Sequence, residues 1–387
     1  MTAVAVTGIG VVSAFGHGVE PFWRGLVAGT CGLRPIRRFE VPHGVALGGE
    51  VPPLEPRELV TTAIGRRIDW VSLMLLAACR LALADAGLAA LEPARTGLGL
   101  GSAWGNLQET GAFLDRLFAR GGGNPLLFPN LVFNAPLSYA SIELGITGPT
   151  AMLSAAEASG EAAIAWGAEQ VAEGGVDVCL AGGADELGAV LHQVLREGRV
   201  VACGVPRPLD PAADGACPGE GGAVLVLEPL ARARARGARI RARLVAPPGF
   251  AVPAPVHGWA RDPVPLAEGL ARTVSDADVV FAAASGRPEL DGLEAAALAR
   301  ALGGRRVTVT AVRGALGDFG AAGALAAAAA ALAVSTGLVP PTCGLVLSAR
   351  AGLDVVTGAA RPRAVRVAAV DGLARGGLCR PLRLEAV

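Results

Sequence analysis

The 387-residue sequence predicts an α/β fold, and three observations lead to this prediction. Apolar runs with the character of buried strands alternate with segments whose apolar residues recur every three or four positions, as in helices. Glycine-rich turns follow several of the predicted strands, which is typical of α/β proteins. Hydrophobic residues make up 52% of the chain against 18% charged residues, so the chain can bury a large core. At ~150 residues per domain, this length suggests two domains or a duplicated fold.

The first element is predicted to be a short buried strand. Residues 4–6 are apolar, and the following residues 7–13 contain Gly8 and Gly10, which predict a glycine-rich turn. A Gly-x-Gly pair is weak support for a nucleotide site, and this one lacks the third glycine and the downstream acidic residue of a dinucleotide-binding fold. The sequence therefore predicts no cofactor.

Three further elements follow in the first third of the chain. Residues 70–88 have apolar positions at helical spacing and end near Gly87, a residue suited to a left-handed helix terminus. Residues 98–102 predict a short strand, and residues 107–118 predict a helix with one apolar face. Two interpretations of that face stay open, packing against the core or lining a tunnel for a bound chain. Its apolar residues are Leu107, Phe113, Leu114, Leu117 and Phe118.

The later segments continue the alternation. Residues 176–186 predict a buried strand whose terminal glycines let another backbone come close. Residues 240–245 predict a strand that begins a second half, followed by a stretch rich in proline and glycine over residues 246–265. The longest uncharged run, over residues 319–349, is broken by Pro340 and Pro341, which predicts a buried helix and no membrane span.

The charge balance argues against two classes of partner. Thirty-four basic and 34 acidic residues cancel, so no overall field favours nucleic acid or an anionic membrane. The Arg-rich stretch over residues 231–243 predicts a solvated helix end, with a partner-docking patch as the alternative. The amino terminus lacks a basic segment followed by an apolar stretch and a cleavage site, which predicts a cytoplasmic protein.

The seven cysteines show no metal-ligand spacing. Because they form no C-x-x-C pair and cytosolic thiols normally stay reduced, we predict buried free thiols and no metal site. The cysteines are Cys31, Cys79, Cys179, Cys203, Cys217, Cys343 and Cys379.

Several short motifs occur in order along the chain. They are V-T-G-I-G-V-V-S from residue 6, R-P-L-D from residue 207, D-G at residue 214 and G-E-G-G-A-V-L-V-L-E from residue 219. With G-P-T-A-M-L-S-A-A-E-A-S-G at residues 148–160, they resemble the motifs of β-ketoacyl synthases, whose nucleophile segment reads T-A-C-A-S-G. The resemblance covers nearly the whole chain. It implies a thiolase fold, with duplicated α/β halves in a five-layer αβαβα arrangement, over residues 1–235 and 236–387.

The chemistry of this family depends on three groups in one pocket. A cysteine thiolate holds the growing acyl chain as a thioester, which presents the carbonyl for attack. Two histidines stabilise the negative charge that forms as malonyl loses carbon dioxide.

The resemblance implies that all three groups are replaced here. Glu157 stands in the place of the cysteine, and Ala283 in the place of the first histidine. Allowing a one-residue deletion before Gly320, Asp318 stands in the place of the second histidine and Arg313 in that of the lysine preceding it. Arg375 then corresponds to the gating phenylalanine of the carboxyl-terminal glycine loop.

No other residue supplies the missing groups in these motifs. The four histidines, His17, His43, His192 and His257, occupy none of them. An ionised Glu157 among alanine and leucine is costly unless it is paired. We therefore predict an ion pair with Arg375 or Arg313, with a water-filled remnant of the pocket as the alternative.

A ketosynthase-like chain with an acidic or amide residue at the cysteine position resembles a chain length factor. This is the inactive partner of the ketosynthase in type II polyketide synthases, so the chain is expected to be no enzyme on its own. Such proteins usually carry glutamine at this position, and Glu157 with the short segment after residue 245 favours a polyene-type system. The resemblance implies a heterodimer with an active ketosynthase and contact with an acyl carrier protein through that complex.

The same resemblance implies where the partner and its product lie. The interface should be formed by residues 128–150 and 151–160 and exceed ~2,000 Å², as in obligate dimers. Bulky residues of this chain would cap the tunnel along the interface and limit elongation. The candidates are Leu107, Thr110, Phe113, Leu114, Leu117 and Phe133.

Two other functions stay open. One is a decarboxylase that generates starter units from malonyl carrier protein, although that variant of the family resembles the active enzymes in keeping both histidines. The other is a standalone homodimeric lipid-binding protein.

Overall fold

The computed structural model of the chain describes residues 2–41, 46–63, 67–346 and 350–387. The strands are β1 (Val4–Ser13), β2 (Gly16–His17), β3 (Arg34–Pro35), β4 (Leu47–Gly48), β5 (Thr96–Gly101), β6 (Thr150–Leu153), β7 (Val178–Asp185), β8 (Gly221–Pro229), β9 (Ala242–Val245), β10 (Phe250–Ala251), β11 (Val279–Phe281), β12 (Thr308–Thr310), β13 (Leu338–Val339), β14 (Asp354–Val355), β15 (Arg361–Pro362), β16 (Val367–Val370), β17 (Leu378–Cys379) and β18 (Leu382–Glu385). The helices are α1 (Val19–Val27), α2 (Pro56–Leu59), α3 (Trp70–Asp85), α4 (Leu107–Arg120), α5 (Ala135–Leu144), α6 (Ser159–Ala172), α7 (Ala189–Glu197), α8 (Leu230–Ala235), α9 (Pro263–Val274), α10 (Pro288–Leu302), α11 (Arg313–Leu316) and α12 (Ala322–Thr336).

The main sheet repeats one strand pattern twice. In the first half the order is β1-β8-β7-β5-β6, with β8 antiparallel to both neighbours and β7, β5 and β6 parallel. In the second half the order is β9-β18-β16-β11-β12, with the same sequence of antiparallel and parallel pairs. β1 pairs with β9 and joins the halves. The duplication is therefore evident in the pairing, although the boundary between residues 235 and 236 stays a prediction.

Helices cover the outer face of each half of the sheet, and a further layer of helices lies between the two halves. One apolar cluster joins α3 and α5 to the outer face of the first half. A central cluster joins α6 and the alanine-rich α12 to strands of both halves, and a third joins α9 and α10 to the outer face of the second half. This is the predicted five-layer αβαβα arrangement.

The predicted turn after Val6 is wrong, because β1 continues to Ser13. The glycines of this segment serve helix packing instead. A Cβ atom at Gly10 would lie 1.9 Å from the Ala78 carbonyl oxygen of α3, and one at Gly8 would lie 2.3 Å from the Ala82 oxygen. Only glycine lets the helix approach the strand this closely.

Other predicted elements are confirmed with small changes in their bounds. α3 begins after Asp69, whose carboxylate accepts a hydrogen bond from the Ser72 amide at 2.8 Å, and Gly87 beyond its end has φ +64°. The stretch over residues 246–265 holds only the two-residue strand β10 before α9 begins at Pro263. Along the described ranges, no helix combines the length and apolar character needed to cross a membrane.

The Arg-rich stretch forms ion pairs within the chain. Arg232 and Arg236 contact Glu228, Arg241 contacts Asp85, and Arg243 contacts Glu385. These contacts tie the segment to β8 and α3 of the first half and to β18 of the second half.

The thiols are free, but not all of them are buried. Five are buried as predicted, whereas Cys203 is exposed and Cys31 is half-buried. The prediction of seven buried thiols is wrong for these two, since both lie in loops near the surface rather than in regular elements.

Candidate functional site

Glu157 lies in a tight turn between the edge strand β6 and the central helix α6. The turn spans Ala156–Ala158, and Ala156 holds a left-handed backbone with φ +48°. The Ser159 hydroxyl donates to the Ala156 carbonyl at 2.7 Å and accepts from the Ala155 amide at 3.0 Å. These contacts maintain a strained conformation that costs on the order of 1–3 kcal/mol. They direct Glu157 into the protein, where it is 5% exposed.

Arg375 is the partner of the Glu157 carboxylate. Its Nε atom lies 2.6 Å from Glu157 Oε1, and its backbone amide donates to Oε2 at 3.1 Å. The guanidinium group also lies over the ring of Trp104, 5.7 Å from the ring centroid. The predicted ion pair with Arg375 is therefore confirmed.

Arg313 forms a second, fully buried ion pair with Asp318. The Arg313 Nη1 atom lies 2.9 Å from Asp318 Oδ1, whereas its Nη2 atom donates to the Glu157 backbone carbonyl at 3.2 Å. Of the two candidate partners, Arg375 and not Arg313 therefore binds the Glu157 carboxylate, because Asp318 lies closer to Arg313 on the same loop. Burial alone would raise the pKa of Asp318, but Arg287 and Arg313 lower it below its usual value.

Arg287 joins the two pairs and was not singled out from the sequence. Its Nη2 atom lies 3.0 Å from Asp318 Oδ2, and its Nη1 atom lies 3.9 Å from Glu157 Oε1. A signal was available, because Arg287 lies four residues after Ala283 in the same short segment and directly before α10. The three arginines and two carboxylates, which we call the charge cluster, are Glu157, Arg287, Arg313, Asp318 and Arg375.

Little space remains around the charge cluster. A cavity of about 10 Å³ adjoins it, which is room for about one water molecule. None of its lining residues is a cysteine, serine or histidine, and they are Ala103, Trp104, Glu157, Leu191, Leu195, Arg287, Asp318, Phe319 and Gly320. Ion pairs rather than a water-filled pocket therefore surround Glu157.

Ala283 lies just beyond the end of β11, buried and without a polar side chain. Its backbone amide donates to Glu294 Oε1 at 2.7 Å. Its methyl group offers no hydrogen bond to any of the charged groups. The described histidines, His17, His192 and His257, do not line the cavity, and His43 lies outside the described residues.

Glu161, Glu294 and Asp371 are among the buried carboxyl groups that were not predicted from the sequence. Burial raises the pKa of Glu161 and of Asp371 to about 7, and burial beside Asp371 raises the pKa of Glu294. Arg313 acts against the shift at Glu161. A Cβ atom at Gly323 would lie 1.9 Å from the Glu161 carboxyl group, so α12 packs directly against it. Over the described ranges, no group of side chains is arranged to hold a metal ion.

The apolar face of α4 is directed away from the core. No residue of this helix is buried, and Phe118 is 82% exposed. Among the tunnel candidates, Leu114 and Phe133 are exposed, and Leu107, Thr110, Phe113 and Leu117 are half-buried. The Phe113 ring packs edge-on against Phe128 at 6.3 Å between centroids. Packing into the core, one of the two interpretations of this face, is therefore wrong.

An exposed apolar surface extends from α4 towards β6, and we call it the α4 surface. Its members are Leu114, Phe118, Leu126, Phe128, Val132, Phe133 and Ile142. β6 is the last strand in the sheet order at this end, so one of its edges is unpaired among the described strands.

Comparison with known proteins identifies relatives along the whole chain. Residues 1–233 match the β-ketoacyl synthase N-terminal domain, and residues 267–346 match the C-terminal domain. A Streptomyces halstedii protein named putative polyketide β-ketoacyl synthase 2 is 35% identical over 96% of this chain and 94% of its own length. The tetracenomycin polyketide synthase ketoacyl synthase beta subunit of Streptomyces glaucescens is 32% identical over 96% and 95%. The solved structure of the ishigamide ketosynthase/chain length factor superposes with a TM-score of 0.92 at 28% identity, covering 100% of this chain and 99% of that one. The fold is thus the predicted thiolase-like ketosynthase fold.

Proposed function

The chain belongs to the β-ketoacyl synthase family, and we propose that it is the non-catalytic chain length factor of a type II polyketide synthase. The observation that carries this proposal is the charge cluster in the position where the family has its reaction centre. The names of the relatives support the same assignment, since they include a ketoacyl synthase beta subunit and a chain length factor.

The chemistry of the cluster argues against condensation by this chain. The Glu157 carboxylate is a poor carrier for an acyl group, because the Arg375 guanidinium at 2.6 Å compensates its charge and the Arg375 amide donates to its second oxygen. Asp318, whose carboxylate is already paired with Arg287 and Arg313, and the methyl group of Ala283 supply no hydrogen-bond donor to an enolate oxygen. The adjoining cavity of about 10 Å³ is also too small for a thioester.

The α4 surface and the free edge of β6 support a heterodimer with an active ketosynthase. Large exposed apolar patches on a protein mark interaction sites, and an unpaired strand edge can pair with another chain. The predicted interface segments, residues 128–150 and 151–160, contain several residues of this surface and the whole of β6. In the heterodimer, the candidates on α4 and Phe133 cap the partner's acyl tunnel and limit product length by their volume.

The remaining parts of the proposal concern the setting of this complex. The partner ketosynthase receives the acyl groups from an acyl carrier protein, in the cytoplasm. Glu157 and the short segment over residues 246–265 support a polyene-type product. Neither a nucleic acid nor a membrane takes part in the proposed complex.

Reconstitution with malonyl carrier protein tests the proposal. The chain alone, the partner ketosynthase alone and the two coexpressed are each incubated with it, and the acyl products and released carbon dioxide are measured. We expect elongation only for the coexpressed pair, and no decarboxylation by the chain alone. Carbon dioxide released by the chain alone would favour the starter-unit decarboxylase instead. A stable homodimer that binds lipid would favour a standalone lipid-binding protein.

A cysteine variant at residue 157 serves as the matched control for the active site. Glu157→Cys restores the thiol but neither histidine, and it leaves the Arg375 guanidinium unpaired. We expect this variant to remain without condensing activity. Elongation by the isolated Glu157→Cys chain would contradict the proposal that the site has lost its chemistry.

A further inference from the structure

The short segment between β5 and α4 connects the charge cluster with the tunnel candidates. It spans residues 102–106, with Trp104 at its centre. Trp104 lines the same small cavity as Glu157, and the guanidinium carbon of Arg375 lies 5.7 Å from the centroid of its ring. That distance is within the ~6 Å range of a cation–π contact. Because α4 begins shortly after Trp104, this residue links the cluster to the helix that carries most of the candidates.

The Arg375 guanidinium group has a fixed position beside Trp104. Its Nε atom and the backbone amide of Arg375 both bind the Glu157 carboxylate, at 2.6 Å and 3.1 Å. A cavity of only about 10 Å³ adjoins these groups, which is room for about one water molecule, so the Trp104 ring has no space to move into the cluster. The ring is therefore held between a fixed cation and the segment that leads to α4.

Buried hydrogen bonds make this segment rigid around Trp104. The Trp104 amide donates to Asp185 Oδ1 at 3.0 Å, and the Asn106 side-chain amide donates to Asp69 Oδ2 at 2.5 Å. Asp185, Asn106 and Asp69 are all buried. A segment fixed in this way moves as a unit, so the place of the Trp104 ring affects the place of the first turn of α4.

Phe133, one of the tunnel candidates, packs directly on the same segment. Gly105 has a left-handed backbone with φ +56°, and a Cβ atom there would lie 2.9 Å from the Phe133 ring. The ring thus rests on the backbone next to Trp104. A shift of the segment would remove the support of this candidate.

α4 is not fixed by packing into the core, because none of its residues is buried. Polar contacts hold its first turn instead. The Gln108 amide donates to Glu186 Oε1 at 3.0 Å, and Gln108 Oε1 accepts from the Ala189 amide at 3.2 Å. Elements with few buried apolar contacts open at low cost in free energy. The anchored start of the helix therefore decides where its residues lie.

We propose that Trp104 is a positioning residue for product length: held by Arg375, it fixes the first turn of α4 and Phe133 where they cap the tunnel. This inference rests on the proposed gating role of those residues. It gives the charge cluster a function, since the cluster then determines how far the cap reaches into the tunnel. Without the ring, the segment between β5 and α4 relaxes into part of the vacated volume, and the cap retreats with it.

The product length of the reconstituted heterodimer tests this role. Trp104→Leu removes the ring and its contact with Arg375, and we expect the main product to be longer by at least one extension unit. Trp104→Phe keeps an aromatic ring under the guanidinium group, so it should retain the wild-type length. Trp23→Leu is the matched control, because Trp23 is also half-buried but packs against the central apolar cluster. Its product length should not change.

Hydrogen exchange of the full-length chain tests the positioning without polyketide synthesis. The Thr110 amide, which donates to the Asn106 carbonyl at 3.0 Å, reports on the first turn of α4. In Trp104→Leu, the amides of α4 should exchange several-fold faster than in the wild-type chain, whereas those of the buried α12 should keep their rates. Trp104→Phe and Trp23→Leu should exchange over α4 like the wild-type chain.

The outcomes separate this inference from the proposed function. If Phe113→Ala lengthens the product and Trp104→Leu does not, Trp104 has no positioning role, although the gating role of α4 stands. If neither variant changes the length, the gating role fails and this inference fails with it. Unchanged exchange of α4 in Trp104→Leu, or equal effects of Trp104→Leu and Trp104→Phe, would also overturn it.

Discussion

At the level of single residues, the charge cluster replaces a reactive centre by mutually dependent ion pairs. Glu157 accepts two hydrogen bonds from Arg375, and Asp318 pairs with both Arg287 and Arg313. Buried ion pairs contribute little net stability compared with an apolar core, but removing one partner leaves an unpaired buried charge. We therefore expect that replacing both members of an ion pair lowers the free energy of unfolding less than replacing only one of them.

Replacing Arg375 by methionine tests this dependence. Arg375→Met leaves the Glu157 carboxylate without its main partner, and we expect a loss of about 2–3 kcal/mol in the free energy of unfolding, below the usual range because Arg375 is partly exposed. The double variant with Glu157→Gln should recover part of this loss. Urea unfolding of the single and double variants measures the coupling. Arg366→Met, at an exposed arginine, is the control, and equal losses for Arg366→Met and Arg375→Met would contradict the assignment.

The buried carboxyl groups predict a fall in stability as the pH rises. Glu161 and Asp371 have folded pKa values of about 7, against about 4 for unfolded carboxyl groups. Because the folded pKa is raised, the native state binds more protons, so the stabilising contribution is full below the unfolded pKa and is lost as the pH rises through the folded pKa. We expect the urea midpoint to fall between about pH 5 and pH 8.

Glu161→Gln should flatten that dependence. One group contributes at most about 1.4 kcal/mol per pH unit to the slope, and the glutamine side chain removes this contribution. Urea titrations at several pH values compare the variant with Glu173→Gln, which changes an exposed carboxylate. An unchanged slope in Glu161→Gln would show that other groups govern the pH dependence.

Among the secondary-structure elements, β1 shows how sequence patterns and packing can disagree. The pair Gly8 and Gly10 predicts a turn by local preference, but the helix α3 that requires these glycines lies about 70 residues further along the chain. A single sequence contains no sign of such a contact. The strand therefore continues where a turn was predicted.

Gly10→Ala tests this explanation. Its Cβ atom would lie 1.9 Å from the Ala78 carbonyl oxygen, so α3 or β1 must move, and we expect a loss of about 2–4 kcal/mol in the free energy of unfolding. Gly122→Ala is the control, because a Cβ atom at that residue would meet nothing within 4 Å. Thermal or urea unfolding of both variants provides the measurement, and a fully stable Gly10→Ala protein would refute the packing argument.

The helix α4 carries the prediction on product length. Phe113 is half-buried beside Phe128, so Phe113→Ala removes most of a ring from the surface that faces the proposed tunnel. We expect longer polyketide products from the reconstituted heterodimer, measured by mass spectrometry. Asp115→Ala, at an exposed position of the same helix, should leave the length unchanged. Unchanged lengths for alanine variants at all six candidate positions would contradict the gating role.

For the whole molecule, the sequence supported more of the fold than of the site. Ordered motifs pointed to the family and to the positions Glu157, Arg313, Asp318 and Arg375, which the structure brings together. The pairing within this set could not be predicted, because it depends on how loops separated by up to 218 residues converge. Arg287 was missed although its place four residues after Ala283 offered a signal. The repeated strand order was likewise invisible to local patterns, since it arises from pairing between distant strands.

The free edge of β6 carries the prediction on assembly. The Leu98 and Ser102 amides, in and just after β5, donate to Pro149 and Leu153. In a parallel ladder, Ala151 and Leu153 therefore face β5, and the Met152 amide faces the open edge. Met152→Pro removes this outward donor, a change that edge strands tolerate.

If the partner ketosynthase pairs with this edge, Met152→Pro should keep its circular dichroism spectrum but no longer copurify with the partner. The reason is that the substitution removes a donor to the neighbouring chain without disturbing the bonds to β5. Met152→Ala, which retains the amide, should still form the heterodimer. Copurification of Met152→Pro at wild-type yield would place the interface elsewhere.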